Sequence, residues 1–242
     1  MANSAFSPQL MFYRDQEVSS LPDTVRRFSR GCGNPVNLAD LESGDSVVDL
    51  GCGAGLDALL AANLVGEEGR ITGIDIDPEM IDRAGQAVNE AGLGSRNIFF
   101  KVDDIEKSPH PKNYAEVLIS NYVFSSCADK GMLFTNIFRI LRPGGRLVFA
   151  DIVLVDGNGM EIPGGFTAEN PLPAWAVTEE RYLDILKKKC FYDIQVLVRH
   201  PLSAVEMESL LGLPGRGIGE NLKELDGRVV AVVITAMRPR LN

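Results

Sequence analysis

Three carboxylates and one glycine turn carry the most chemical information in this sequence. Val47-Val-Asp-Leu-Gly-Cys-Gly-Ala-Gly55 places Asp49 at the end of an apolar run, followed by Gly51, Gly53 and Gly55 around Cys52. Glycine lacks a Cβ, so such a turn reverses sharply and lets a ligand lie against the backbone. A dinucleotide fold asks for G-x-G-x-x-G, whose last glycine frees space over a pyrophosphate. Here the spacing is G-x-G-x-G, and Leu56 holds the place of that last glycine. A carboxylate beside the turn repels a pyrophosphate and attracts an ammonium group. S-adenosylmethionine (SAM) fits that requirement: it has a methionine ammonium, a sulfonium cation and no phosphate.

The elements that must position these groups alternate along the chain. Val47 to Leu50 reads as a buried strand, and Leu56, Leu59, Leu60, Ala61 and Leu64 continue it into a helix with apolar residues at helical spacing. Arg70 to Ile76 reads as a second strand carrying Asp75 at its end. Asp77-Pro-Glu79 then starts a helix, with Asp as cap, Pro at the first position and an acid in the first turn. Further strands are expected over 97–102, ending at Asp103 and Asp104, over 116–123, and over 146–154. A helix over 130–141 is expected to stop at Pro143-Gly-Gly145. Alternating strands and helices indicate an α/β fold, a doubly wound and mainly parallel seven-stranded sheet of Rossmann type. Ligands of such folds sit beyond the carboxyl ends of the strands. Asp49, Asp75, Asp104 and Asn121 all fall there.

Outside this core the sequence is less periodic. Residues 1–40, with a short helix around Thr24 to Phe28, are expected to cap the cleft, and 41–155 form the cofactor-binding core. Residues 156–242 supply substrate-side segments: a Gly- and Pro-rich, lid-like loop over 156–174, helices over 179–190 and 203–211, and strands over 193–198 and 228–237. All are read as one domain, which a 242-residue chain allows.

Composition narrows the partners. A formal charge of −9 argues against nucleic acid, which calls for a basic face. No apolar stretch reaches the roughly 18 residues of a membrane span, and the N-terminus lacks the apolar core of a signal peptide. Four cysteines make no disulfide framework, and no C-x-x-C pair suggests zinc. A reducing cytoplasm is the expected setting; whether two chains associate as a homodimer stays open.

Several segments together resemble the class I SAM-dependent methyltransferases, and within them the arsenite methyltransferase family. They are Ser29-Arg-Gly-Cys-Gly-Asn-Pro35, the stretch from Val48 to Asp57, Gly73-Ile-Asp-Ile-Asp-Pro-Glu-Met80, Ile119-Ser-Asn-Tyr-Val123 with Asp129-Lys130, and Arg139 to Leu147 running into Asp151-Ile-Val153. The resemblance implies that Asp49, Cys52 and the Gly51, Gly53 and Gly55 backbone hold the methionine part. It implies that Asp75 takes the ribose hydroxyls, Ile76 and Met80 flank the adenine, and Asp104 with the Ile105 amide reads the adenine edge. Asn121 completes this cofactor set. For Asp104, a turn cap is the competing reading.

The departures concern the acceptor. The family binds trivalent arsenic through cysteine thiolates, soft ligands for a soft centre. Where it places two of them, this chain has Tyr122 and the Pro173-Ala-Trp-Ala176 region; Cys32 and Cys52 remain. The expected function is therefore methyl transfer from SAM to an organic small molecule, with Tyr13, Tyr122 and Trp175 as candidate acceptor contacts. Displacement at a sulfonium needs alignment above all, and a base only for an un-ionised acceptor. His110 and Tyr122 are the candidates for that role, and His200 is a weaker one. Arsenite methylation, a catalytically silent SAM-binding protein and, last, a nicotinamide enzyme are the competing readings.

Overall fold

A computed structural model describes residues 12–107, 111–155, 176–210, 225 and 227–240. The lid-like loop, His110 and Trp175 lie outside the described residues. Three short helices come first: α1 (Asp15–Val18), α2 (Asp23–Phe28) and α3 (Pro35–Leu38). The core follows as β1 (Ser46–Leu50), α4 (Leu56–Val65), β2 (Arg70–Asp75), α5 (Pro78–Glu90), β3 (Ile98–Val102), β4 (Ala115–Asn121), α6 (Lys130–Ile140) and β5 (Leu141–Leu154). Then come β6 (Val177–Thr178), α7 (Glu179–Lys188), β7 (Tyr192–Pro201), α8 (Ala204–Leu210) and β8 (Val229–Met237).

The main sheet runs β3-β2-β1-β4-β5-β8-β7, and the two-residue β6 adds an eighth strand on the end of β5. The expected seven strands are thus those of the main path; β6 falls just before α7, where the sequence reading placed no strand. Strands β1 to β5 are parallel, and β8 runs antiparallel between β5 and β7. Strand order reverses between β1 and β4, the switch point at which an α/β sheet opens a crevice.

Period-two alternation explains how one sheet serves two cores. Val47, Ile71, Val117 and Val148 pack on one face with α4 and α8 residues such as Ala58, Ala62 and Met207. Val48, Ile74, Leu118 and Phe149 pack on the other with Phe134 of α6 and Tyr182 of α7. Helix α4 is apolar nearly all round because it is covered on both sides: Leu56 and Leu59 also meet Ala87 and Val88 of α5 and Val18 and Val25 of the N-terminal helices. No helix of the described residues is long and apolar enough to cross a membrane.

One boundary differs from expectation. Helix α6 ends at Ile140, and Pro143-Gly-Gly145 lies inside β5 rather than stopping the helix. The ladder pairs Ala115 with Leu141, then Val117 with Arg146, so the extra residues form a bulge. A proline that cannot donate to the ladder is accommodated in such a place.

Fully buried Asp151 organises the β5 side. Its Oδ2 accepts the Tyr182 hydroxyl at 2.8 Å and the Ser125 amide, and its Oδ1 accepts the Ile152 amide at 2.8 Å. Phe124 and Tyr182 flank Phe149 at 4.9 and 5.3 Å between ring centroids. Tyr182→Phe keeps that packing and removes one donor from a buried carboxylate. It should destabilise the protein by about 1–3 kcal/mol in guanidinium unfolding, and an unchanged midpoint would show that the remaining donors suffice.

Candidate functional site

A crevice opens at the switch point, above the ends of β1 and β4. Its larger part, about 500 Å³, is lined by Asp49, the turn from Gly51 to Ala54, Asp57, Met80, Asn121 and Tyr122, and on the cap side by Phe28 and Arg30. A second part of about 240 Å³ is lined by Asp75, Ile76, Asp104 and Ile105. Gly51, Tyr122, Val123 and Ser126 line both, so the two are continuous.

The turn is shaped for close approach. Gly51 has φ +71°, and a Cβ there would sit 2.2 Å from Val123 Cγ2. Only glycine permits both. The Gly53 amide donates to Asp75 Oδ2 at 2.8 Å, which ties the turn to the end of β2, and the Asp77 amide donates to Asp75 Oδ1 at 3.0 Å. Gly55 is the cap of α4 and packs against Ala84 and Phe100 instead of lining the crevice. Cys52 is buried, with its sulfur beside Gly73. Burial, then the charges of Asp49 and Asp75, pushes its thiol far above the usual range, so it is a neutral packing group.

The cofactor residues expected from sequence therefore gather on one crevice, except Gly55, which supports it from behind. Asp104 does also cap its own turn: Oδ1 accepts the Glu106 amide at 2.9 Å and Oδ2 the Lys107 ammonium at 2.7 Å. The Lys107 bond is the main reason its carboxyl lies below the ordinary range.

Asp57, in the first turn of α4, escaped the sequence reading as a site residue because an acid there is ordinary helix chemistry. Its Oδ1 accepts the Tyr13 hydroxyl at 2.8 Å and its Oδ2 the Asn121 amide at 3.0 Å. Asn121 also donates to the Gly33 carbonyl at 2.9 Å and to the Tyr13 oxygen at 2.8 Å, while its own oxygen accepts the Cys32 amide at 2.9 Å. A Cβ on Gly31 would lie 2.4 Å from the Asn121 nitrogen, so that position too must stay small. Tyr13 is thereby placed behind the wall, buried and hydrogen-bonded, and is not among the residues lining the crevice.

Burial sets the electrostatics. Desolvation, opposed by the Asn121 and Tyr13 hydrogen bonds, pushes the Asp57 carboxyl up to about 6. Asp49 is pushed well above its usual value by burial, then by Asp57 and Asp75, and its Oδ2 has no hydrogen-bond partner. An unpaired buried carboxylate oxygen facing a crevice is the chemistry that an ammonium group satisfies. The residues present thus fit the methionine end of SAM. Tyr122 adopts φ +61°, rare for an aromatic residue, and its buried hydroxyl also lacks a partner. Burial, then Cys32 and Asp151, raises its phenol well above the ordinary range, which disfavours the ionised form.

The other histidine lies elsewhere. His200 lines a separate cavity of about 220 Å³ behind Cys32 and Gly33, against β7 and β8, and meets Glu206 at 2.8 Å. Cys32 and Cys127 are buried, Cys190 is exposed on the turn after α7, and all four cysteines are free.

Comparison with known proteins agrees with this geometry. The family model for a methyltransferase domain matches residues 41–207. An arsenite methyltransferase from Halobacterium salinarum is 38% identical over 141 residues, covering 58% of this chain and 35% of that protein. An aklanonic acid methyltransferase from a Streptomyces species is 31% identical over 168 residues, covering 69% and 76%. Among solved structures, an arsenic(III) S-adenosylmethionine methyltransferase from Chlamydomonas reinhardtii has a TM-score of 0.75 at 25% identity, covering 93% of this chain and 73% of its own. The chain spans about a third of the length of the Halobacterium relative. With the match across most of its length and a crevice built for a cationic ligand, the chain belongs to the methyltransferase-domain family, resembles its arsenite branch, and takes S-adenosylmethionine as cofactor.

Proposed function

We propose that this protein transfers the methyl group of SAM to an organic small-molecule acceptor. Bound SAM supplies an activated methyl group on a sulfonium. The chain's own residues divide the remaining work. Asp49 and Asp57 hold the ammonium, Asp75 the ribose hydroxyls, and Ile76, Met80 and the Ile105 amide the adenine. The α2–α3 segment, pinned through Asn121, keeps water from the donor. Positioning of this kind can supply up to about 7–11 kcal/mol of barrier reduction in favourable systems.

The observation that carries the organic acceptor is the state of the thiols. Cys32 and Cys52 are both buried, and burial first, then a neighbouring carboxylate (Asp151 for Cys32, Asp49 for Cys52), raises each thiol above its usual range. A soft metalloid needs thiolates; the crevice offers Cys52 and Cys127 only as buried thiols, beside Tyr122, Val123 and Phe28. Arsenite methylation is the second reading, favoured by the similarity to the Halobacterium and Chlamydomonas proteins. Labelled SAM separates the two. Label moving to organic acceptors and not to arsenite–thiol complexes supports the first; arsenite-dependent transfer overturns it.

Two further results are expected. Asp75→Ala should weaken binding of S-adenosylhomocysteine, measured by calorimetry, by about 1.5–3 kcal/mol, the value of a charged hydrogen bond; unchanged affinity would refute its ribose role. The Asp57 carboxyl ionises near pH 6, and a cation prefers the ionised form. The Asp57 contribution to affinity should therefore rise with pH up to about 6, by at most about tenfold per unit. Asp57→Asn should abolish that step. A wild-type profile that is flat through this range is incompatible with Asp57 facing the ammonium.

A further inference from the structure

We propose that the edge of β7 is a self-association surface: a second copy of this chain adds its own β7 there, antiparallel, and continues the sheet. β7 is the last strand of the main path and pairs with β8 alone among the described residues. An edge strand leaves a row of backbone N–H and C=O groups unpaired, a template for another strand. Proteins that stay apart blunt such an edge with lysines, a proline or a short length. β7 runs ten residues, contains no lysine and has its proline at the last position. It carries two irregularities against β8, yet Val198 to Pro201 keep a regular register. Leu197 and Val198, adjacent at mid-strand, are 39% and 38% exposed, and Tyr192 and Val205 of α8 more so.

The helix that covers this strand identifies the occupant. α7 runs antiparallel to β7: Glu179 in its first turn accepts two hydrogen bonds of 2.7 Å from Arg199, near the end of the strand. One flank of α7 meets α6, where the Lys189 ammonium donates to the Thr135 hydroxyl at 2.7 Å. Glu180, Leu183 and Lys187, spaced by three and four, share another flank, on the β7 side. Glu180 and Lys187 are exposed and Leu183 is half-buried at the margin of the core; the ion pairs of α7 use Glu179, Arg181, Asp184 and Lys188 instead. Four helical residues advance about 6 Å and two strand residues about 6.6 Å. Counted from the Glu179–Arg199 contact, Leu183 therefore comes level with Leu197, the middle of β7. A twofold axis there sets Glu180 against Lys187 of the partner subunit, the reciprocal pair beside it, and leucine between them. Parallel strands would set like charge against like. A chain of net charge −9 can meet itself here because the acid and the base of this flank balance.

The test is sedimentation equilibrium on the full chain, with circular dichroism to show that each variant is folded. The wild type should sediment as a dimer. Leu197→Lys places two like charges at the axis and should weaken association at least about tenfold. Glu180→Lys and Lys187→Glu should each weaken it about fivefold. The double variant restores opposite charges across the axis and should return to wild-type association. Spin labels on Cys190, the one exposed cysteine of the four, then report the geometry of the wild-type dimer. Antiparallel strands hold them at opposite ends, roughly 35–45 Å apart. A wild type that stays monomeric at every concentration reached, or single variants that associate as it does, overturns the proposal. So does a double variant no better than either single one, or a label separation half that expected. β7 lies three strands beyond β4, away from the crevice, so none of these outcomes bears on the methyltransferase reading.

Discussion

Asn121 ties the N-terminal cap, the first turn of α4 and the end of β4 together through one side chain. Its amide nitrogen faces three acceptors, the Gly33 carbonyl, the Tyr13 hydroxyl oxygen and an Asp57 oxygen, and its carbonyl takes the Cys32 amide. Two N–H groups cannot serve three acceptors fully, so the contact is shared, and the Tyr13 hydroxyl completes the set by donating to Asp57. Aspartate at this position would present only acceptors to another carboxylate. Leucine would strand a backbone carbonyl and an amide, each at a cost of about 1–3 kcal/mol. The cap, the first turn of α4 and the end of β4 thus form one wall because a single side chain can both donate and accept.

That wall encloses a charge arrangement that is costly unless a ligand is present. Asp49 is 1% exposed and Asp57 7%, and Asp57 makes Asp49 harder to ionise. Burying an uncompensated carboxylate costs several kcal/mol after relaxation. Asp57 offsets part of this with two hydrogen bonds; Asp49 leaves one oxygen without a partner. A core built only for stability would place apolar groups here, as β1 does at Val48 and Leu50. The carboxylates make sense as a place held ready for a cation.

Much of this was legible from local pattern. Strand ends, the glycine turn and the Asp77-Pro helix start each lie within a few residues, so spacing placed Asp49, Asp75, Asp104 and Asn121 beside the turn, and the family resemblance supplied the roles expected of the other crevice residues. What failed depended on distant partners. Tyr13 reads as an acceptor contact until Asp57, 44 positions away, takes its hydroxyl. Asp57 itself looks like a helix-dipole acid until Asn121, 64 positions away, reaches it. Pro143-Gly-Gly145 looks like a helix stop because its bulge exists only against β4. Cys52, given to the cofactor set by the resemblance, lines the crevice from inside the turn and is itself buried.

The order of residues at the end of β4 explains how cofactor and acceptor recognition can vary separately. Asn121 is committed to the cap and to Asp57, so its replacement disturbs the cofactor wall. Tyr122 is the next residue, yet its side chain ends without a hydrogen-bond partner, and its left-handed backbone carries it out of the strand's path. Its amide still holds the sheet, donating to the Ala150 carbonyl at 2.9 Å. The backbone therefore does structural work at residue 122 while the side chain does none that packing of another ring could not do. On the function proposed above, a cysteine, a tyrosine or another residue at that point changes what the crevice offers an acceptor without touching the carboxylates assigned to the donor, so that substrate choice can drift at this position under an unchanged cofactor site.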